Sequence, residues 1–330
     1  MYKSFYNLTR NPFDLTPDPT CFVPTARHNE ALAALYYGVR RHKGVVVVTG
    51  EVGTGKTLLL RCLLQTLKTS NETSFAYLFN CHLSGTEFLH YTALDFGLPV
   101  NEQQTKSTLL FDLSKYVTSR GIQGLTTVLI VDEAHHLSIE VLEEIRLLSN
   151  LETNDDKLLQ IVLVGQPELD LKLDSFELRP LKQRIALRAH LAPLDEEETA
   201  KYIFDRLTFA GGDSRPEPLF SPEAVKAIYH YSRGFPRLIN TICENSLVTG
   251  YARQLPSIPM DVITGVARDF HLNSNGTAMG RKARSDADLD WERAKNFFLD
   301  LYAAMQRPVG TDSELNSPIA VEAGEHESDI

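Results

Sequence analysis

Gly50-Glu51-Val52-Gly53-Thr54-Gly55-Lys56-Thr57 fits the pattern G-x-x-x-x-G-K-[ST], and its setting gives the pattern meaning. Val45 to Val48 before it read as a strand, and Leu58 to Leu64 after it as a helix. In such a loop the backbone N–H groups from Val52 to Thr57 turn inward around a phosphate, and the helix beginning near Lys56 adds the positive end of its dipole. Gly53 and Gly55 let the backbone approach an anion, Lys56 reaches the β- and γ-phosphates, and the Thr57 hydroxyl can ligate Mg²⁺. This chemistry expects ATP and Mg²⁺, with Gly50 through Leu58 as the binding segment. A second constellation is Asp132-Glu133, where the apolar run Thr127 to Val131 ends in two acids. One carboxylate at a strand end can hold the Mg²⁺ shell while the next orients and deprotonates an attacking water. Asp132 is assigned to the metal and Glu133 to the base. Gln166, just past the strand Leu158 to Val164, is a third polar group at a strand end, placed to touch the γ-phosphate or the water.

The elements that must position these residues alternate. Helices are expected at Arg27 to Arg40, Leu58 to Lys68, Thr86 to Phe96, Ser107 to Arg120 and after Ser138, where Leu142, Ile145, Leu148 and Leu151 share a stripe. Strands fall between them, at Ser74 to Phe79 and finally at Ile185 to Leu191, with Arg179 and Arg184 just before the last. Such alternation implies an α/β fold, a parallel sheet flanked by helices, with ligands beyond the strand C-termini. From Pro193 the pattern is helical only. Asp195 with Glu198 makes a capping box, Ser221-Pro222 starts a second helix, Gly234-Phe-Pro-Arg237 a third, and Met260 to Phe270 forms a fourth. Residues 1–25 hold too many prolines for a helix or central strand and read as an extended clip carrying Phe5, Tyr6, Leu8, Phe13 and Leu15. The divisions are therefore 1–25, an α/β core at 26–192, a helical domain at 193–272, a linker at 273–287, an amphipathic helix at 288–307 and a disordered acidic tail at 308–330.

Composition narrows the partners. The formal net charge of −10 over 330 residues argues against a broad grip on nucleic acid, which needs clustered Lys and Arg, and leaves only a local DNA-contacting loop open. No run of 18 apolar residues occurs and the N-terminus lacks a signal-peptide core, so a cytoplasmic protein is expected. Cys21, Cys62, Cys81 and Cys243 show no metal spacing and read as buried small apolar residues. Asp288 to Gln306 presents Ala294, Phe297, Phe298, Leu301, Tyr302 and Met305 on one narrow face. This helix either packs back on its own ATPase domain or docks in a partner's groove.

A phosphate loop, an Asp-Glu strand end, a polar strand end, a late arginine and a helix opened by Gly-x-Pro-Arg form, in order, the motif set of AAA+ ATPases, which the sequence resembles. The resemblance implies a P-loop NTPase core with a C-terminal helical lid, Gln166 as sensor 1, Arg184 as arginine finger with Arg179 and Arg188 nearby, and Arg237 as sensor 2. It further implies a homo-oligomer with composite sites. The match is closer to the ExeA/GspA branch of secretion-associated ATPases. It is carried by Met1 to Leu8, Asn11-Pro-Phe-Asp-Leu-Thr-Pro-Asp-Pro19, His28, the phosphate loop, Val164-Gly-Gln-Pro-Glu-Leu169 and Phe235-Pro-Arg-Leu-Ile-Asn240, and it covers residues 1 to about 270. Members assist assembly of secretion, pilus or exosortase-linked export machinery, and related ATPases regulate transposition. The implied partner is a membrane secretion or export complex, with the chain peripheral at the inner membrane, and the helix 288–306 is the candidate contact if it docks rather than packs back. The clip would lie near the adenine, with Pro12 and Phe13 enclosing the base. Members that act on the cell wall continue into a transmembrane segment and a peptidoglycan-binding domain, neither of which this sequence contains. A DNA-dependent regulator of transposition or replication is the alternative reading, and a nucleotide switch without appreciable hydrolysis is a second.

Overall fold

The computed structural model describes residues 2–79, 82–101, 103–154, 156–212 and 217–272, which fall within one compact unit spanning residues 1–274. The helix expected at 288–306, its linker, the acidic tail and Cys81 lie outside the described residues. The chain opens with α1 (Tyr2–Phe5), then α2 (Ala26–Arg40), β1 (Val45–Gly50), α3 (Lys56–Lys68), β2 (Thr73–Leu78), α4 (Gly85–Asp95) and α5 (Lys106–Ile122). It continues through β3 (Thr126–Val131), α6 (Ile139–Leu148), β4 (Leu159–Gly165), α7 (Glu168–Leu173), α8 (Arg179–Lys182) and β5 (Ile185–Leu191). Four helices follow: α9 (Glu196–Phe209), α10 (Pro222–Ser232), α11 (Pro236–Ala252) and α12 (Met260–Asp269).

The five strands form one parallel sheet in the order β2-β3-β4-β1-β5. Because side chains alternate along a strand, Val45 and Val47 of β1 face one side and Val46 and Val48 the other, and both sides are apolar because both are covered. The first side packs Leu129, Val131, Ile161 and Leu163 under Phe88, Leu109, Leu113 and Ile145 of α4, α5 and α6. On the second, Val128, Ile130, Val162 and Val164 lie under Leu35 and Val39 of α2 and Leu59, Leu60 and Leu63 of α3. The sheet thus fixes α3 and the C-terminal ends of β1, β3 and β4 as one rigid body.

A separate apolar core joins α9 to α12, and the N-terminal segment belongs to it. Tyr6 and Phe13 are wholly buried there, Phe13 edge-on to Phe220 at 6.0 Å between ring centroids. Tyr2 donates its hydroxyl to the Glu244 carboxylate at 2.8 Å, and Arg206 of α9 donates to the carbonyls of Cys21 and Asp14. Arg61 of α3 donates to the Pro17 carbonyl, so the same segment also touches the helix behind the phosphate loop. Its first turn is helical rather than extended, because the prolines begin only at Pro12. Cys243 is buried as expected, whereas Cys21 and Cys62 are half-buried.

Candidate nucleotide site

The loop Gly50 to Gly55 leaves β1 and enters α3 through Gly55, whose φ of +99° is left-handed and whose place at the helix N-cap offers no side-chain acceptor. By contrast α2, α4, α5, α6, α9 and α10 are each capped by Thr, Ser or Asp. The first N–H groups of α3 are therefore left for an anion. Lys56 is only 6% exposed, and its Nζ donates to the carbonyls of Gly50 at 2.8 Å and Glu51 at 3.0 Å. Burial pulls its pKa below the usual lysine value, opposed by the carboxylates of Glu133, Asp132, Glu51 and Glu168. Those carboxylates stabilise the charged form of the buried ammonium.

Asp132 follows β3 and is 5% exposed. Thr57 of α3 donates to its Oδ2 at 3.4 Å and Tyr77 of β2 at 3.1 Å, while the Glu133 amide donates to Oδ1 at 2.9 Å. Burial, with Glu133 adding repulsion, raises the Asp132 carboxyl to about 6 despite those donors and nearby Lys56. Burial likewise keeps the Tyr77 phenol protonated, with Asp132 reinforcing it, so Tyr77 remains a donor. The hydroxyl of Thr57 and the carboxylate of Asp132 are hard oxygen donors brought together at the mouth of the loop. This pair fits Mg²⁺, which takes few protein ligands and completes its shell with water and phosphate oxygens.

Glu133 adopts a left-handed backbone, φ +53°, at the start of a single 3-10 turn, Ala134–His136. Such a conformation in a residue with a side chain costs on the order of 1 kcal/mol and turns the carboxylate out of the line of β3. Its Oε2 lies 3.3 Å from Nδ1 of His135, at an angle that makes no hydrogen bond. The same Nδ1 accepts the Gln166 amide at 3.4 Å, which explains the geometry: a ring nitrogen that accepts there has no proton for Glu133. His135 so links the ends of β3 and β4, and Lys172 secures the turn from below through the carbonyls of His135 and Leu137, both at 2.6 Å.

The helical domain reaches the loop directly. The Arg237 amide donates to the Gly53 carbonyl at 3.2 Å, and its exposed side chain starts α11 beside the loop. Thus Lys56, Thr57, Asp132, Glu133, Gln166 and Arg237 gather around one crevice. Arg184 does not: it precedes β5, at the opposite end of the sheet, where it donates to Asn150 and to the Pro180 carbonyl at 3.1 Å. Nearby Arg188 pairs with Asp170 at 3.0 Å, and Arg179 lies over the ring of Phe176, which is 79% exposed. Pro12 and Phe13 are buried. Sequence reasoning gave no role to Tyr77, His135 or His28, whose ring bonds the loop at Thr54. Their signals were weak, since each is a common residue whose part depends on distant contacts.

The model of an AAA domain matches residues 39–173. General secretion pathway protein A of Aeromonas hydrophila is 44% identical over 254 residues, which is 77% of this chain and 45% of that relative, so the chain spans less than half the relative's length. Among solved structures, Cdc6p of Pyrobaculum aerophilum superposes with a TM-score of 0.58 at 18% identity, over 78% of this chain and 70% of that one. The ORC2 protein of Aeropyrum pernix gives 0.57 at 17%, over 79% and 71%. At such identities these two likenesses speak for the fold alone. With the phosphate loop on a five-stranded parallel sheet and these matches in hand, the chain belongs to the AAA+ P-loop NTPases and is related to General secretion pathway protein A.

Proposed function

We propose that the protein is an ATP hydrolase whose cycle drives or regulates assembly of a secretion, export or pilus-type complex. The observation that carries the catalytic part is the convergence at one crevice of a buried, acid-ringed Lys56, the Thr57–Asp132 oxygen pair and the unbonded Glu133 Oε2. Lys56 and the uncapped start of α3 hold the phosphates, and Thr57 with Asp132 holds Mg²⁺. When bound, the metal neutralises charge on the β- and γ-oxygens. Glu133 takes the proton of the attacking water, and Gln166 orients that water or the γ-phosphate. Arg237 reports the phosphate to the helical domain, while Arg184 completes a neighbouring subunit's site. Pro12 and Phe13 would support the adenine side only from within the helical core, since Phe13 has no exposed surface to touch the base.

The decisive variant is Glu133→Gln. Turnover is expected to fall at least about 100-fold with nucleotide affinity within a few-fold of wild type, the pattern of a lost general base. Undiminished turnover would exclude Glu133 from that role. The work performed is proposed from the relative named for general secretion; no helix among the described residues is long and apolar enough to cross a membrane. Steady-state turnover measured against protein concentration, with and without duplex DNA, discriminates the readings. Turnover per subunit that rises with concentration and ignores DNA supports protein assembly; strong stimulation by DNA would transfer the protein to the DNA-dependent regulators.

A further inference from the structure

Beside the phosphate loop, on the side away from the acids, lies a buried histidine that the catalytic reading does not use. His28 is 6% exposed, and both of its ring nitrogens are occupied. Nε2 is 2.9 Å from the carbonyl oxygen of Thr54, and Nδ1 is 2.8 Å from Oγ1 of Thr25, the N-cap of α2. A carbonyl can only accept, so Nε2 carries the proton and donates. Nδ1 then accepts the Thr25 hydroxyl proton, while the Thr25 oxygen in turn accepts the His28 amide. The tautomer is thereby fixed by its partners, and burial, which lowers the ring's pKa, keeps it neutral. Phe22 closes the ring edge-on at 5.8 Å.

The partner of this bond is significant because Thr54 C=O and Gly55 N–H belong to one planar peptide unit. In a trans peptide the two groups point in opposite directions, and no cis bond occurs among the described residues. A carbonyl held toward His28 therefore turns the Gly55 amide away from it, toward the concave side of the loop. The ring also occupies the space at Gly55: a Cβ there would stand 3.1 Å from Nε2, in a residue whose φ is already +99°. A flip of this peptide turns ψ of Thr54 and φ of Gly55, and the glycine leaves the second of these bonds free of side-chain restriction. Within the loop, the Thr54 amide and hydroxyl both bond the Glu51 carbonyl, and from outside the loop His28 holds the Thr54 carbonyl.

We infer that His28 is a positioning residue for the phosphate loop, its Nε2–H fixing the Thr54–Gly55 peptide so that the Gly55 amide faces the nucleotide's phosphates. The inference rests on the reading of residues 50–57 as a phosphate-binding loop. Through Thr25 it also ties the loop to the start of α2, so the order of the N-terminal segment and the shape of the anion site are linked.

The test is equilibrium binding of a fluorescent ADP analogue with Mg²⁺ to the full chain, comparing His28→Phe, His28→Gln and Lys56→Ala with wild type. Phenylalanine keeps the ring's volume and loses the donor; glutamine places an amide N–H near the position of Nε2. His28→Phe is expected to weaken binding about tenfold, the effect of one buried hydrogen bond, and His28→Gln to recover most of it. Wild-type affinity in His28→Phe while Lys56→Ala loses binding would overturn the inference, as would equal losses in the Phe and Gln variants, which would make shape the cause. Wild-type affinity in Lys56→Ala would instead overturn the phosphate-loop reading, and the inference with it. A measurement that needs no variant is the ¹⁵N spectrum of the histidine rings: His28 is expected as the neutral Nε2–H tautomer, and the Nδ1–H form would refute the bond.

Discussion

Asp132 is the residue on which the crevice stores strain. Its carboxyl, raised to about 6 by burial and by Glu133, holds its proton more tightly in the folded chain than in the unfolded one. Its contribution therefore favours folding at pH below about 4 and is lost as the pH rises through 6; above that, the ionised group opposes folding by on the order of 2–3 kcal/mol. In the absence of nucleotide and metal, Asp132→Asn should melt higher than wild type at pH 8, with the difference shrinking toward pH 5. Adding Mg²⁺ with nucleotide should stabilise wild type more than the variant, which keeps the phosphate loop but loses the carboxylate for the metal. Equal melting temperatures at pH 8 would mean that the buried charge is compensated in the folded state. A buried carboxylate suits this site because a charge destabilised in isolation is one that a bound cation relieves.

At the scale of elements, the contact between the helical domain and the loop depends on how α10 turns into α11. Arg233 and Gly234 are both left-handed, and a Cβ on Gly234 would stand 1.8 Å from the Leu194 carbonyl, whose residue also accepts no substitute for the close backbone pairing Leu194 N–H to Gly234 C=O at 2.9 Å. Gly234→Ala is expected to cost more than about 3 kcal/mol or to shift α11, and either way to withdraw the Arg237 amide from Gly53. Urea unfolding together with nucleotide affinity checks it: unchanged values in both would show that the junction is compliant. The N-terminal segment is held by burial more than by polar bonds. Phe13→Ala should destabilise the protein by about 3–4 kcal/mol through the cavity left against Phe220, measured by the midpoint of chemical unfolding.

For the whole molecule, the open question in the crevice is the charge that Lys56 alone does not neutralise during hydrolysis. Arg184 is at the far end of the sheet from the loop of its own chain, so the proposed finger role requires the site of another copy. Arg184→Ala is then expected to lower turnover about 100-fold or more, as loss of an arginine finger does, while leaving nucleotide affinity within a few-fold. Mixing the variant with Glu133→Gln should restore part of the activity, because each supplies what the other lacks. Failure of the mixture to exceed the sum of its parts would place the missing charge within one subunit. Arg188 is already paired with Asp170, whereas Arg179 stands over exposed Phe176, so Arg179→Ala is the control that tells neighbouring arginines apart.

How far the sequence alone reached follows from which interactions are local. The phosphate loop, the strand ends at Asp132 and Gln166, the capping box at Asp195 and the helical run after Pro193 were legible because glycine spacing, apolar runs and cap residues act over a few positions. The parallel α/β class followed from the alternation of those elements. Only the tertiary structure decided the strand order, which puts β4 between β1 and β3 and thereby sets Asp132 against Thr57. It alone showed Arg237 on Gly53, Tyr77 on Asp132 and His28 on Thr54, contacts between residues far apart in the chain. It also put Phe13 inside the helical core. The reason is physical: a local pattern fixes what a segment can become, but a hydrogen bond between distant residues exists only once packing has chosen which surfaces meet.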